Sequence, residues 1–118
     1  MEHKDIYYTL AQAAFESVRT IPNWDKSILK IKRFDGNVGF ESFYTFQNSS
    51  EIPVSTEANY QTSLAVHELH EYMSTTFSEN SKWNRLTFTL YPNNKIHVEY
   101  IWDQELQNEI DRLNDKNN

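Results

Sequence analysis

The hydrophobic period of this chain switches repeatedly between that of a helix and that of a strand, and turn residues stand at the switches. At about 100° per residue, Ile6, Tyr7, Leu10, Ala13, Ala14 and Val18 share one stripe, which predicts an amphipathic helix. Asp5 is placed to cap its start, and Pro22 should stop it near Arg19 to Ile21. Tyr8 and Phe15 fall off the stripe, either packed under a loop or turned toward a partner. From Trp24 the period becomes two. Leu29 and Ile31 alternate with Lys30 and Lys32 up to Asp35-Gly36-Asn37, a hairpin signal. Val38, Phe40, Tyr44 and Phe46 line one side of the second strand, and Glu41, Phe43 and Thr45 face away. Ile52-Pro53-Val54 fits a short edge strand, where proline is tolerated.

After an entry loop at Ser55 to Asn59, a second helix is expected over Tyr60 to Asn80, with a core stripe of Ala65, Val66, Leu69, Met73 and Phe77. Leu86, Phe88 and Leu90 then alternate with Arg85, Thr87 and Thr89. A turn at Pro92 to Lys95 leads into Ile96, Val98 and Tyr100. Asp103 can cap a last helix with the stripe Leu106, Ile110 and Leu113, and Asp115 to Asn118 form a polar tail. The expected fold is α+β: a mostly antiparallel sheet of four to five strands with three helices, in the order α-β-β-(β)-α-β-β-α. Nothing divides residues 1–118, so a single domain is expected, long enough to bury about two-thirds of its unfolded surface.

Composition removes several classes of function. The chain has no cysteine, hence no disulfide, thiol nucleophile or thiolate metal site, and a reducing, cytoplasmic setting fits. Its two glycines, Gly36 and Gly39, cannot build a phosphate-cradling loop. No apolar run is long enough to cross a bilayer. Seventeen aromatic residues (three Trp, seven Tyr, seven Phe) argue against a disordered acidic tail.

His67 and His70 stand three apart on the second helix, beside Glu68 and Glu71. A small metal-assisted hydrolase would need a third ligand from His97, Glu99 or His3, and the spacing departs from the HExxH pattern of zinc peptidases. Ser49, Ser50, Ser55 and Ser63 lack the Gly-x-Ser-x-Gly elbow of serine hydrolases. Lys30, Lys32 and Arg33 form a small basic strand face without the interleaved aromatics of an RNA-binding motif. No catalytic residue, metal ligand or cofactor is assigned.

The distribution of charge is more informative. The net charge is −6, and residues 40–80 carry six acids with no lysine or arginine. Glu68, Glu71 and Glu79 fall opposite the core stripe of the second helix, with Glu41 and Glu57 behind them. An acidic face on a rigid element complements a basic groove, as in nucleic-acid enzymes, and carboxylates can occupy a phosphate-binding surface.

Three segments carry a family likeness. Ile21-Pro22-Asn23-Trp24-Asp25-Lys26 resembles the I-P-x-x-W-x-K entry to the first strand of the YezG-like antitoxin and immunity family. Ile52-Pro53 leads into a long helix carrying Tyr72 and Phe77, and Trp83 to Leu90, an Asn-Lys turn and Glu99-Tyr100 are similar to that family's closing hairpin. The likeness covers about residues 4–102. Lys82 stands where the family often has proline, Asn94 where its turn usually has glycine, and the last helix, Asp103 to Asn114, lies outside the likeness. The resemblance implies a small cytosolic, non-catalytic protein that binds and neutralises the C-terminal domain of a secreted polymorphic toxin, typically a nuclease. It implies no contact with nucleic acid or membrane. Trp24 and Trp83 would hold the fold, and charge selects Glu41, Glu57, Glu68, Glu71 and Glu79 as the partner-binding residues. A homo-oligomer burying Tyr8 and Phe15 is the remaining alternative.

Overall fold

A computed structural model describes residues 3–34, 36–76 and 82–116. Three helices, α1 (His3–Val18), α2 (Tyr60–Thr76) and α3 (Gln104–Lys116), accompany five strands: β1 (Trp24–Phe34), β2 (Asn37–Phe46), β3 (Ile52–Val54), β4 (Arg85–Leu90) and β5 (Ile96–Ile101). All strand pairs are antiparallel and the sheet order is β3-β2-β1-β4-β5, so the expected α+β architecture is present with all five strands. Phe77, Glu79, Asn80, Asp35 and the end of the polar tail lie outside the described residues.

The alternation of side chains divides the sheet into two faces. Leu29, Ile31, Leu86 and Phe88 point to one side, where the predicted stripes of α1 (Ile6, Leu10, Ala13, Ala14) and α2 (Ala65, Val66, Leu69) close over them. Met73 is partly buried against the same cluster, as is Trp24, and Trp83 is almost fully enclosed. Both tryptophans therefore serve the core. Each fully buried large aliphatic or aromatic side chain contributes about 1.5–3 kcal/mol.

Small hydroxyl residues let α1 approach the sheet closely. Ser27 Oγ donates to the Ala14 carbonyl at 2.6 Å, and Ser17 Oγ donates to the Ala13 carbonyl at 3.0 Å. Ser17 also meets the Ser42 hydroxyl at 3.4 Å and accepts the Glu57 N–H at 3.1 Å. These bonds satisfy polar groups that the helix–sheet contact removes from water.

The turns follow local chemistry. Phe34 pairs with Asn37, and Gly36 between them has φ +82°, a left-handed angle that glycine adopts without strain. Asn94, with φ 68°, fills the left-handed position of the β4–β5 turn; asparagine tolerates that region better than most residues. Proline at 53 occupies the outer strand β3, as expected.

The helix ends differ in how they are capped. Asn59 caps α2: its Oδ1 accepts the Thr62 N–H at 3.2 Å, and Thr62 Oγ1 accepts the Asn59 N–H at 3.0 Å. Asp103 caps α3 as anticipated, accepting the Leu106 N–H on Oδ1 at 3.1 Å and the Arg85 Nε–H on Oδ2 at 2.6 Å. Those bonds, the main-chain one first, hold its carboxyl below the usual carboxylate range. Asp5 does not cap α1, because the helix already includes His3; Asp5 lies in the first turn, and its carbonyl accepts the Thr9 hydroxyl. On α3 the expected stripe is only half used. Ile110 is buried, Leu106 is half-buried and Leu113 is exposed, since the distal part of the helix runs past its support.

Candidate partner-binding surfaces

The five glutamates singled out from the sequence do not share one surface. Glu41 pairs in register with Lys30 on the sheet face away from α1 and α2, so the whole sheet separates it from the helices. That face carries a shallow trough of about 560 Å³ lined by Lys30, Lys32, Glu41, Phe43, Arg85 and Thr87. Lys30 there is bound to Glu51 at 2.6 Å and lies over the Phe43 ring at 4.7 Å. The trough is mixed in charge, and Glu41 belongs to it, not to the helix layer.

Glu68 also departs from the expected arrangement. It is half-buried, and one carboxylate oxygen is shielded from solvent. Thr62 lies near the middle of the buried stripe of α2, and Glu68 sits about 120° from that middle, on its flank, whereas Glu71 lies opposite. Glu71 is exposed on the outer side of α2, and Glu57 is exposed in the loop that enters it. The acidic surface of the helix layer is thus Glu57 and Glu71, with Glu79 outside the described residues.

The sequence pattern did carry a signal that the acid count overlooked. Tyr8, Gln12, Phe15 and Arg19 recur at helical spacing along the outer side of α1, and Tyr60, Leu64, His67 and Glu71 along that of α2. Tyr8 is 69% exposed, Tyr60 73% and Phe15 43%, so Tyr8 and Phe15 are not packed beneath a loop. Between the helices runs a groove of about 170 Å³ lined by Tyr8, Gln12, Glu16, Glu57, Gln61 and Thr62. Glu16 meets Arg19 at 3.7 Å, while the groove lining itself contains no lysine or arginine. Exposed aromatic side chains ringed by carboxylates have the composition of a protein-binding surface.

His70 stands edge-on to the Trp83 ring at 5.4 Å between centroids. Burial, then the charges of Arg33 and His67, push its pKa below the ordinary value. His97 and Glu99 lie on the other face of the sheet, in register with Thr89 and Thr87, and cannot complete a site with His67 and His70. The His3 side chain is outside the described set. Among the described residues, no three His, Asp or Glu side chains are grouped to hold a metal ion. Ser49 is used in its turn, where it accepts the Phe46 N–H and donates to the Ser50 carbonyl.

A larger cleft of about 630 Å³ lies where α3 meets Arg33, His70, Lys82, Trp83 and Trp102. Its cations are stacked on aromatic rings, Arg33 over Trp83 at 5.4 Å and Lys82 over Trp102 at 4.4 Å. The cleft joins α3 to the end of the sheet.

Fold and surface together define an α+β domain whose helices cover one face of an antiparallel sheet and present an acidic, aromatic exterior. No protein-family model matches the chain, and a search of curated proteins likewise finds no match. Among the described residues, no helix is long and apolar enough to cross a membrane.

Proposed function

We propose that the chain is an immunity protein of the YezG-like kind, which neutralises a cognate polymorphic-toxin domain by forming a stoichiometric complex with it. The toxin domain is a basic nuclease, and the chain acts in the cytosol of the producing cell without catalytic turnover. One observation carries the reading: Tyr8 and Glu57 line a groove between the two helices that contains no lysine or arginine, and Tyr60 stands exposed at the start of α2. Long-range attraction between such carboxylates and a basic toxin speeds encounter, and the aromatic rings supply the contacts that slow release.

The test is coexpression with the C-terminal nuclease domain of a polymorphic toxin from the same genome, followed by purification and a nuclease assay. A one-to-one complex with lost nuclease activity and restored growth is expected. A nuclease domain that stays free and active in the presence of the folded chain would remove the proposal.

A further inference from the structure

The two edges of the sheet are unlike. The β3 edge is three residues long and interrupted by Pro53, two devices that keep an edge from pairing with another chain. The β5 edge is six residues, Ile96-His97-Val98-Glu99-Tyr100-Ile101, with no proline, lysine or arginine. Among the described residues its only strand neighbour is β4. α3 follows β5 in the chain but faces Arg33, Phe34 and Trp83 across their shared cleft, which leaves the outer side of β5 uncovered. Ile96 on this edge is 40% exposed.

The direction of the backbone groups follows from the turn. The Tyr91 N–H donates to the Lys95 carbonyl at 2.9 Å, which makes residues 91 and 95 a hydrogen-bonded pair. Pairs alternate along an antiparallel ladder, so His97 with Thr89 and Glu99 with Thr87 are hydrogen-bonded in turn. Ile96, Val98 and Tyr100 therefore direct their N–H and C=O groups outward, away from β4.

We propose that two copies of the chain join β5 to β5 across a two-fold axis at Val98, forming one continuous sheet. The sequence of the strand complements itself in that register. Val98 meets Val98 of the second copy and Ile96 meets Tyr100, all on the face that carries the helices, and every outward N–H and C=O at these positions finds a mate. On the other face His97 lies opposite Glu99 and Glu99 opposite His97. These are non-hydrogen-bonded pairs, whose Cα atoms approach to about 4.5 Å, so each histidine meets a carboxylate. A one-residue shift would set apolar side chains against polar ones, which fixes the register. A histidine facing a carboxylate at each mirrored position, an unblunted edge and an exposed isoleucine select a second copy of this chain as the occupant. The helix-layer surface stays free in the dimer, so the proposal does not depend on the toxin-binding reading.

Sedimentation equilibrium of the full chain over a broad concentration range tests it, comparing wild type with H97E and the charge-swapped H97E/E99K. Both side chains are exposed, and circular dichroism verifies that the variants fold. Wild type is expected to form a dimer whose dissociation constant rises about tenfold in H97E, where carboxylates face one another, and recovers most of that loss in H97E/E99K. A wild-type chain that stays monomeric throughout overturns the proposal. So does a dimer indifferent to H97E, which would have to use another surface, such as the Tyr8 and Phe15 stripe.

Discussion

The hydroxyl oxygens of Tyr7 and Tyr100 lie 2.9 Å apart and tie the first helix to the last strand. Tyr100 is half-buried against Trp83, with ring centroids 5.5 Å apart. Burial, and after it the bond to Tyr7, raises the pKa of its phenol above the ordinary value of 10. The unfolded chain therefore releases this proton at a lower pH than the folded one. Stability from this group is complete below about pH 10 and falls as pH rises further. Tyr7→Phe should cost about 1 kcal/mol in urea unfolding, and Tyr7→Phe with Tyr100→Phe less than the sum of the two single changes. The alkaline loss of stability should be shallower in Tyr100→Phe than in wild type; equal slopes would contradict the assignment.

His70 governs the acid side. Its pKa is lowered from 6.5, so below that pH the unfolded chain takes up a proton that the folded chain resists. Stability should then fall as pH drops through about 6.5. Melting temperatures measured between neutral and mildly acid pH should decline less in His70→Gln than in wild type. Parallel declines would place the acid sensitivity elsewhere.

Asn84 holds the start of α3 through both main-chain groups of one residue, Asp103. Its Nδ2 donates to the Asp103 carbonyl at 2.8 Å, and its Oδ1 accepts the Asp103 N–H at 2.7 Å. Asn84→Ala should destabilise the protein by about 2 kcal/mol, because both main-chain groups lose their partner in a largely enclosed site. Asp103→Ala should act more locally, by freeing the first turn of α3. Amide exchange across Gln104 to Ile110 should quicken in both variants, and protection that persists there would refute this role.

Charge reversal separates the two faces functionally. Glu57→Lys with Glu71→Lys should slow association with a basic toxin domain about tenfold at low salt, and added salt should narrow the difference. Glu41→Lys, on the far side of the sheet, should leave the rate within about twofold. Stopped-flow binding distinguishes them, and the reverse ranking would move the interface to the sheet trough.

The sequence made the elements legible because each has a clean period. The α1 stripe, the alternation in β1 and β4, the edge position of Pro53 and the cap at Asp103 all depend on near neighbours in the chain. The misplaced features depend on long-range geometry. Glu41 and Glu71 are both acidic and lie in one base-free stretch, yet only the order of the strands reveals that the sheet stands between them. Glu68 sits about 120° from the centre of its helix's buried stripe, and whether such a flank position is covered depends on neighbouring elements that no period reports. Tyr60 is hard to read for a different reason. An exposed aromatic at the start of a helix has no periodic mark until the outer side is read as a stripe of its own.

The serine seam under α1 has a consequence for how that outer stripe is displayed. Oily contact is non-directional and would tolerate a helix that slid or rolled by a fraction of a turn. Ser27 on β1 instead engages one particular carbonyl, that of Ala14, and Ser17 on the helix reaches the Ser42 hydroxyl of the sheet and the Glu57 N–H of the α2 entry loop. The helix is keyed like a shaft in a slot, with one angular setting. Tyr8 and Phe15 are therefore aimed from within, and replacing the two serines by alanine would leave the core greasy enough to fold while letting its outermost rings lose their bearing.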